Sequence, residues 1–211
     1  LFKFQNIHSS YWNKKGSSMA RPRAFDEESV LDNAMNIFWS KGFEATSVQD
    51  LVEETGLNRA SMYSSFGDKK ALFLRVLDHY SQKISTNRFA KLREMADGRE
   101  AIIATFRDAS RVGCGEGRHK GCLMVNSGME LAPHDPETAA IAQAAFSRVE
   151  DMFARALRRG MEHDTIARDK NIRSLSRFLA GSIQGVHLMA RRGADEDTLA
   201  DYVDTILSTL D

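Results

Sequence analysis

The stretch Arg59-Ala60-Ser61-Met62-Tyr63-Ser64-Ser65, followed by Lys69 and Lys70, gathers one guanidinium, four hydroxyls and two ammonium groups within twelve residues. A guanidinium presents two parallel donors that match the O6/N7 edge of guanine, and a methyl such as that of Ala60 packs against thymine. Short or rigid hydroxyls and ammonium groups suit phosphate oxygens. Between Leu57 and Arg75 the cations Arg59, Lys69, Lys70 and Arg75 face Asp68 alone. From Met19 to Lys69 the balance reverses, with five Lys or Arg against nine Asp or Glu. Positive charge is therefore expected to be focused on this one stretch. That pattern suits a defined site on a polyanion and not sequence-blind adhesion.

A second centre of reactivity is Cys122, in HKGCLMVNSGMEL. His119, Lys120 and a predicted helix N-terminus all favour a thiolate there. The alternative is a small buried residue, since free cysteine is among the most buried types. Phe106, Met124, Asn126, Met129, Glu130 and His187 are candidates to line a small-molecule pocket with it. Cys114, His119 and Cys122 lack a fourth ligand at regular spacing, so no metal site and no cofactor is expected. Two cysteines cannot build a disulfide framework, and no signal segment is evident, which points to a reducing cytoplasm.

Helical periodicity must position these groups, because the 211-residue chain shows few alternating apolar-polar runs and only three prolines. Asp26 caps a first helix to about Ser40, with Val30, Leu31, Ala34, Ile37 and Phe38 inward. Ser47 and Asp50 form a capping-box start for a short second helix closed by Gly56. Asn58 caps a short third helix, and Gly67-Asp68 starts a long fourth. Further helices are expected over about 99–112, 122–131, 136–162, 172–191 and 195–210, with a glycine-rich loop at 113–121. Asp135-Pro136 supplies a cap and a first-turn proline in the favoured order. The fold class is all-α. No run of about eighteen apolar residues suggests a membrane span. Residues 1–18 carry no helical period and are read as a non-native or disordered leader ahead of Met19.

Two short helices joined by a glycine-containing turn are the helix-turn-helix pattern. The run from Arg21 to about Tyr80 resembles the N-terminal domain of TetR-type transcriptional regulators. The matching residues include Ala34, Phe38, Lys41-Gly42-Phe43, Thr46-Ser47, Val48, Leu51, Thr55-Gly56-Leu57, Ser61, Met62-Tyr63, Phe66, Lys69 and Leu72-Phe73. The resemblance implies a DNA-binding domain over 19–68, a connecting helix over 69–88, and a larger helical effector-binding and dimerisation domain over 89–211. It also implies a double-stranded operator, a homodimer and a small-molecule effector or electrophile as partners. Thr46 and Ser47 would touch phosphate, Arg59, Ala60 and Ser61 would face bases, and Tyr63, Ser64 and Lys69 would hold the DNA backbone. Arg21 and Arg23 would reach the minor groove.

In such regulators the last two long helices dimerise. Here that assigns Phe178, Ile183, Val186, Tyr202, Val203 and Ile206 to the seam, with Gly181 and Gly185 allowing close approach. The Gly-Cys-Leu stretch is similar to a branch in which some members sense electrophiles or oxidants through cysteine, whereas others bind small unsaturated acids. The alternative there is reversible effector binding with Cys122 merely structural. Against an enzyme stand the absence of a nucleophile elbow, of a His-Glu-x-x-His motif and of a phosphate-binding glycine loop, and the scatter of the six histidines.

Overall fold

Side-chain caps set most of the helix starts. The computed structural model describes residues 25–114 and 120–211, without the side chains of Ser85 and Cys114. The leader at 1–18, the arm residues Arg21 and Arg23, and His119 lie outside the described residues. The helices are α1 (Glu27–Lys41), α2 (Val48–Thr55), α3 (Arg59–Phe66), α4 (Lys69–Asn87) and α5 (Ala90–Glu94), then α6 (Gly98–Cys114), α7 (Leu123–Glu130), α8 (Pro136–Glu162), α9 (Ile172–Arg191) and α10 (Glu196–Leu207). A short 3-10 turn, Ser208–Leu210, follows. Asp26, Ser47, Asn58, Asp68, Asp135, Asn171 and Asp195 each accept a backbone N–H of the first turn, so orphan donors are satisfied locally. No strand occurs among the described residues, and the fold is all-α. None of the described helices is long and apolar enough to cross a membrane.

The periodicity missed one element. The five-residue helix α5 is too short for an apolar period and its N-cap residue Phe89 makes no side-chain cap bond, so it leaves no local signature.

Two hydrophobic clusters fill the interior. The first joins α1–α4 around Phe38, Phe73, Leu51 and Met62, and it continues into Cys122, Leu123 and Met124 of the α7 region and Ala142 and Ala145 of α8. The Phe38 and Phe73 rings meet edge to face with centroids 5.0 Å apart, a favoured aromatic geometry. The second cluster joins α6, α8, α9 and α10 around Phe106, Phe153, Leu157, Leu179, Ile183 and Val186.

Backbone proximity fixes the crossing of α6 on α8. A Cβ built on Gly98 would lie 1.7 Å from the carbonyl oxygen of Ala156 and 2.7 Å from the nitrogen of Gly160. Backbone cannot step aside as a flexible side chain can. Gly98→Ala is expected to destabilise the protein by about 3 kcal/mol, the upper part of the usual range for overpacking. Denaturant unfolding checks it, and an unchanged midpoint would mean that α6 can slide on α8.

Candidate functional site

Helix α3 turns one face inward and one outward. Met62 and Phe66 are buried, whereas Arg59, Ala60, Tyr63 and Ser64 are exposed and Ser61 and Ser65 partly so. Gly56 makes the turn before it in the left-handed region, at φ 69° and ψ 4°, and its N–H closes on the Val52 carbonyl. That conformation is costly for residues with a Cβ. Asn58 then caps α3 through its Oδ1, which accepts the Ser61 N–H at 2.8 Å.

The cations counted in the sequence have different fates. Lys70 is paired with Asp135 and Glu137, and Arg75 with Glu27. The Lys69 ammonium donates to the carbonyls of Phe43 and Thr46, both at 2.8 Å, and lies 4.3 Å from the Phe43 ring centroid. Only Arg59 of the four has no acidic or carbonyl partner among the described residues. The expected focus of positive charge is therefore corrected to a single unpaired guanidinium. Lys69 is corrected too: two of its three donors brace the loop between α1 and α2, leaving one for any other partner. Thr46 is buried and its hydroxyl donates to the Gly42 carbonyl at 2.6 Å, so its side chain supports the loop from inside. Ser47 is exposed, but its hydroxyl is engaged in the capping box with Asp50. Lys41 also grips Asp50, holding that carboxyl down to about 2, with the Ser47 backbone and hydroxyl bonds adding to the effect.

The candidate pocket residues separate into three places. Cys122, Met124 and His187 line one cavity with Tyr80, Arg88 and Gln184, of about 30 Å³ and partly open to solvent. Phe106 is fully buried in the second core, its ring centroid 5.7 Å from that of Phe153, and is corrected from pocket wall to core. Asn126, Met129 and Glu130 are corrected likewise. They line a groove among α1, α7 and the C-terminal end of α9 instead of the cavity. Tyr80, Arg88 and Gln184 come from α4, its C-cap and α9, and nothing local in the sequence singled them out.

Cys122 is a buried free thiol at the N-cap of α7. The Tyr80 hydroxyl donates to its Sγ at 3.4 Å. Burial foremost, and then Cys122 itself, push the Tyr80 phenol well above its ordinary range, so it keeps its proton. Lys120 lies 5.6 Å from the Trp39 ring centroid. Burial first and Arg88 second hold the His187 imidazole down to about 4, so it is neutral near pH 7. Among the described residues no group of three side chains could hold a metal ion, while Cys114 and His119 of the candidate metal set fall outside what is described.

A chain of contacts runs from this cavity to the α1–α2 loop. Trp39 of α1 meets Tyr80 edge to face at 5.2 Å and donates its indole N–H to the Lys120 carbonyl at 3.0 Å. Asn126 donates to the same carbonyl at 2.9 Å. At the far end of α7 the Glu130 carboxylate accepts the N–H groups of Phe43 at 3.1 Å and Glu44 at 2.9 Å. Gly42 permits this approach, since a Cβ there would lie 3.0 Å from a Glu130 oxygen and its φ is 84°.

The expected dimer seam is divided as well. Phe178 is exposed and Tyr202 partly buried, but Ile183, Val186, Val203 and Ile206 are buried within this chain. Those four are corrected from interface to intramolecular core, because the apolar stripes of α9 and α10 face α6 and α8. Gly185 does allow a close approach, of the Tyr202 ring within the chain, while Gly181 borders open space.

An outward short helix with an exposed guanidinium, set on a glycine turn and packed on a helical bundle, defines a DNA-binding protein of the helix-turn-helix class. Comparison with known proteins agrees. Residues 30–76 match the family model of bacterial regulatory proteins, tetR family, and residues 98–206 match the tetracyclin repressor-like C-terminal domain. The chain is 34% identical over 194 residues to the uncharacterized HTH-type transcriptional regulator YezE of Bacillus subtilis (strain 168), covering 92% of this chain and all of that one. It is 31% identical to the HTH-type transcriptional repressor ComR of Escherichia coli (strain K12), covering 90% of this chain and 91% of the other. A cysteine mutant of the TetR family regulator CifR, complexed with 26-bp double-strand operator DNA, superposes with a TM-score of 0.80 at 27% identity, over 90% of this chain and 100% of that one. The chain belongs to the TetR family of DNA-binding transcriptional regulators. Its relatives are regulators, which answers the enzyme alternative.

Glu130→Ala would release two backbone N–H groups of the loop that leads into α2. Both are exposed enough for water to replace the carboxylate, so the expected loss is on the order of 1 kcal/mol. Operator affinity should fall with it, because α2 and α3 lose a fixed orientation. Equal affinity and stability in the variant would show that the contact is incidental.

Proposed function

We propose that this regulator is a repressor that acts in the cytoplasm as a C2 homodimer on a palindromic operator and is released by a small molecule bound in the cavity beneath Tyr80. The observation that carries this reading is the continuity from the cavity wall at Cys122, along α7, to the Glu130 carboxylate on the α1–α2 loop. An effector that binds one arrangement of α7 better than another shifts the orientation of the reading helix by that difference in affinity. The kinship with a repressor and with an operator-bound regulator supports the same reading. Exposed Phe178 and Leu188 on α9 and the partly buried Tyr202 on α10 are among the apolar groups available to the dimer seam. In a two-fold dimer the two reading helices would meet two half-sites related by the same symmetry.

In this reading Arg59 pairs with a base edge, Ala60 and Ser61 face the bases, and Tyr63, Ser64 and Ser47 approach phosphates. The arm residues Arg21 and Arg23 add minor-groove contacts. Cys122 serves as a wall residue, buried and covered by the Tyr80 hydroxyl, and the effector binds reversibly.

Selection of genomic fragments by the full-length protein tests the proposal. Recovery of a palindrome occupied by one dimer is expected, and occupancy of a single half-site by a monomer would overturn it. Arg59→Ala should weaken operator binding by about 1–3 kcal/mol and relax preference at the base it reads. An equal loss on random DNA would make Arg59 a phosphate contact. Iodoacetamide should leave Cys122 of the native protein largely unmodified and operator binding intact, as measured by peptide mass and gel shift. Rapid alkylation with loss of DNA binding would establish the thiol-sensing alternative.

A further inference from the structure

The two C-terminal helices carry opposite charge. α9 contains no Asp or Glu, and its cations Arg173, Arg177 and Arg191, with the cap residue Arg192, are all exposed. α10 contains no Lys, Arg or His, and its acids Glu196, Asp197, Asp201 and Asp204 are all exposed. Arg177 is held by Glu150 of α8. None of the others forms an ion pair among the described residues, so the two helices do not answer each other within the chain. Between the arginines of α9 lies an uncovered apolar strip, with Phe178 and Leu188 exposed and open space over Gly181. Faces of opposite sign beside such a strip fit a second copy of this chain, which supplies both charges at once.

Two such two-helix layers can meet about a two-fold axis in two ways. An axis running across the helices lays α9 on the partner's α9 and α10 on the partner's α10, so arginines oppose arginines and acids oppose acids. An axis running along the helices lays α9 on the partner's α10, and opposite signs meet on both sides. Juxtaposed like charges are costly, which selects the second arrangement. The layer also fixes which residues come together. A Cβ on Gly185 would lie 2.5 Å from the Tyr202 hydroxyl, so these two residues share a level. Gly185 lies six residues before the end of α9 at Arg191, and Tyr202 six after the start of α10 at Glu196, as in an antiparallel hairpin. Rotation about an axis along the helices preserves level. Arg191 and Arg192 therefore come level with Glu196 and Asp197 of the partner subunit.

We infer that this regulator selects its own kind by laying α9 on the α10 of a second copy, with Arg191 and Arg192 meeting Glu196 and Asp197 of the partner subunit and the same contacts repeated by symmetry. The inference rests on the dimer reading above and adds to it the direction of the two-fold axis and the basis of partner choice. A guanidinium beside a carboxylate gives orientation as well as attraction. A related regulator with another sign pattern on its last two helices would bring like charge to at least one of the two contacts, so mixed assemblies are disfavoured. These pairs lie at the solvent-exposed ends of the helices, so assembly weakens as salt rises.

Sedimentation of the full-length protein and native mass spectrometry of mixtures test the pairing. A chain with Arg191→Glu and Arg192→Glu, and a second with Glu196→Lys and Asp197→Lys, should each dimerise more weakly than wild type by about tenfold or more, because several exposed pairs turn repulsive together. The two reversed chains mixed with each other should recover dimers, nearly all of them mixed, which also shows that both still fold. A chain carrying all four substitutions should pair with itself as wild type does, yet avoid wild type. Mixed dimers of that chain with wild type at or above the statistical half would place α9 on α9 and overturn the assignment. Unchanged dimerisation of both two-residue variants would overturn it as well. Wild-type protein that stays a monomer on a single half-site would sink the dimer reading together with the pairing, whereas wild-type dimers indifferent to every reversal would sink the pairing alone.

Discussion

The reading head of this protein does not close its own hydrophobic core, and much else follows from that constraint. Three short helices present too little apolar surface to be stable alone. Here the cluster around Phe38 and Phe73 is completed by α4 and by Cys122, Leu123, Met124, Ala142 and Ala145 from the neighbouring bundle. A displacement at Cys122 is thus a displacement in the core that holds α1. Packed interiors respond by switching between arrangements more readily than by deforming smoothly. The Glu130 carboxylate and the Lys70–Asp135 pair add polar ties at the outer edge of the same contact.

Economy of charge is the second theme. The sequence offers four cations around α3, yet three serve the protein's own architecture. Lys69 closes the loop between α1 and α2, Lys70 binds the N-terminus of α8, and Arg75 reaches back to α1. Arg59 alone of the four is outward and unpaired among the described residues. A head with so little free charge gains less from the general polyanion field and depends more on fit to particular bases.

Legibility in the sequence followed the range of the interactions concerned. The starts of α1, α2, α3, α4 and α8 were read from Asp26, Ser47, Asn58, Asp68 and Asp135, because a cap bonds to a neighbour two or three residues away. The inward placement of Met62 and Phe66 followed from helical spacing in the same way. Four of the six residues expected at the dimer seam lie inside the chain for an opposite reason. Apolar spacing on α9 and α10 marks a buried face but does not say whether the burying surface belongs to the same chain, and Ile183, Val186, Val203 and Ile206 are covered by α6 and α8. Glu130 was noticed for its nearness to Cys122 in sequence, yet it sits at the other end of α7 against Phe43 and Glu44.

The amino-acid sequence by itself determined the all-α class, the helix-turn-helix and the outward face of α3, since caps, turn glycines and a 3.6-residue period act over a few residues at most. Only the tertiary structure decided which cations are free, which candidates share a cavity, and which glycine is indispensable. Lys69 meets the carbonyls of Phe43 and Thr46 across more than twenty residues, Tyr80 meets Cys122 across forty-two, and Gly98 meets Ala156 across the α6–α8 crossing. Partnerships of that range depend on how whole helices cross, and no local pattern encodes them.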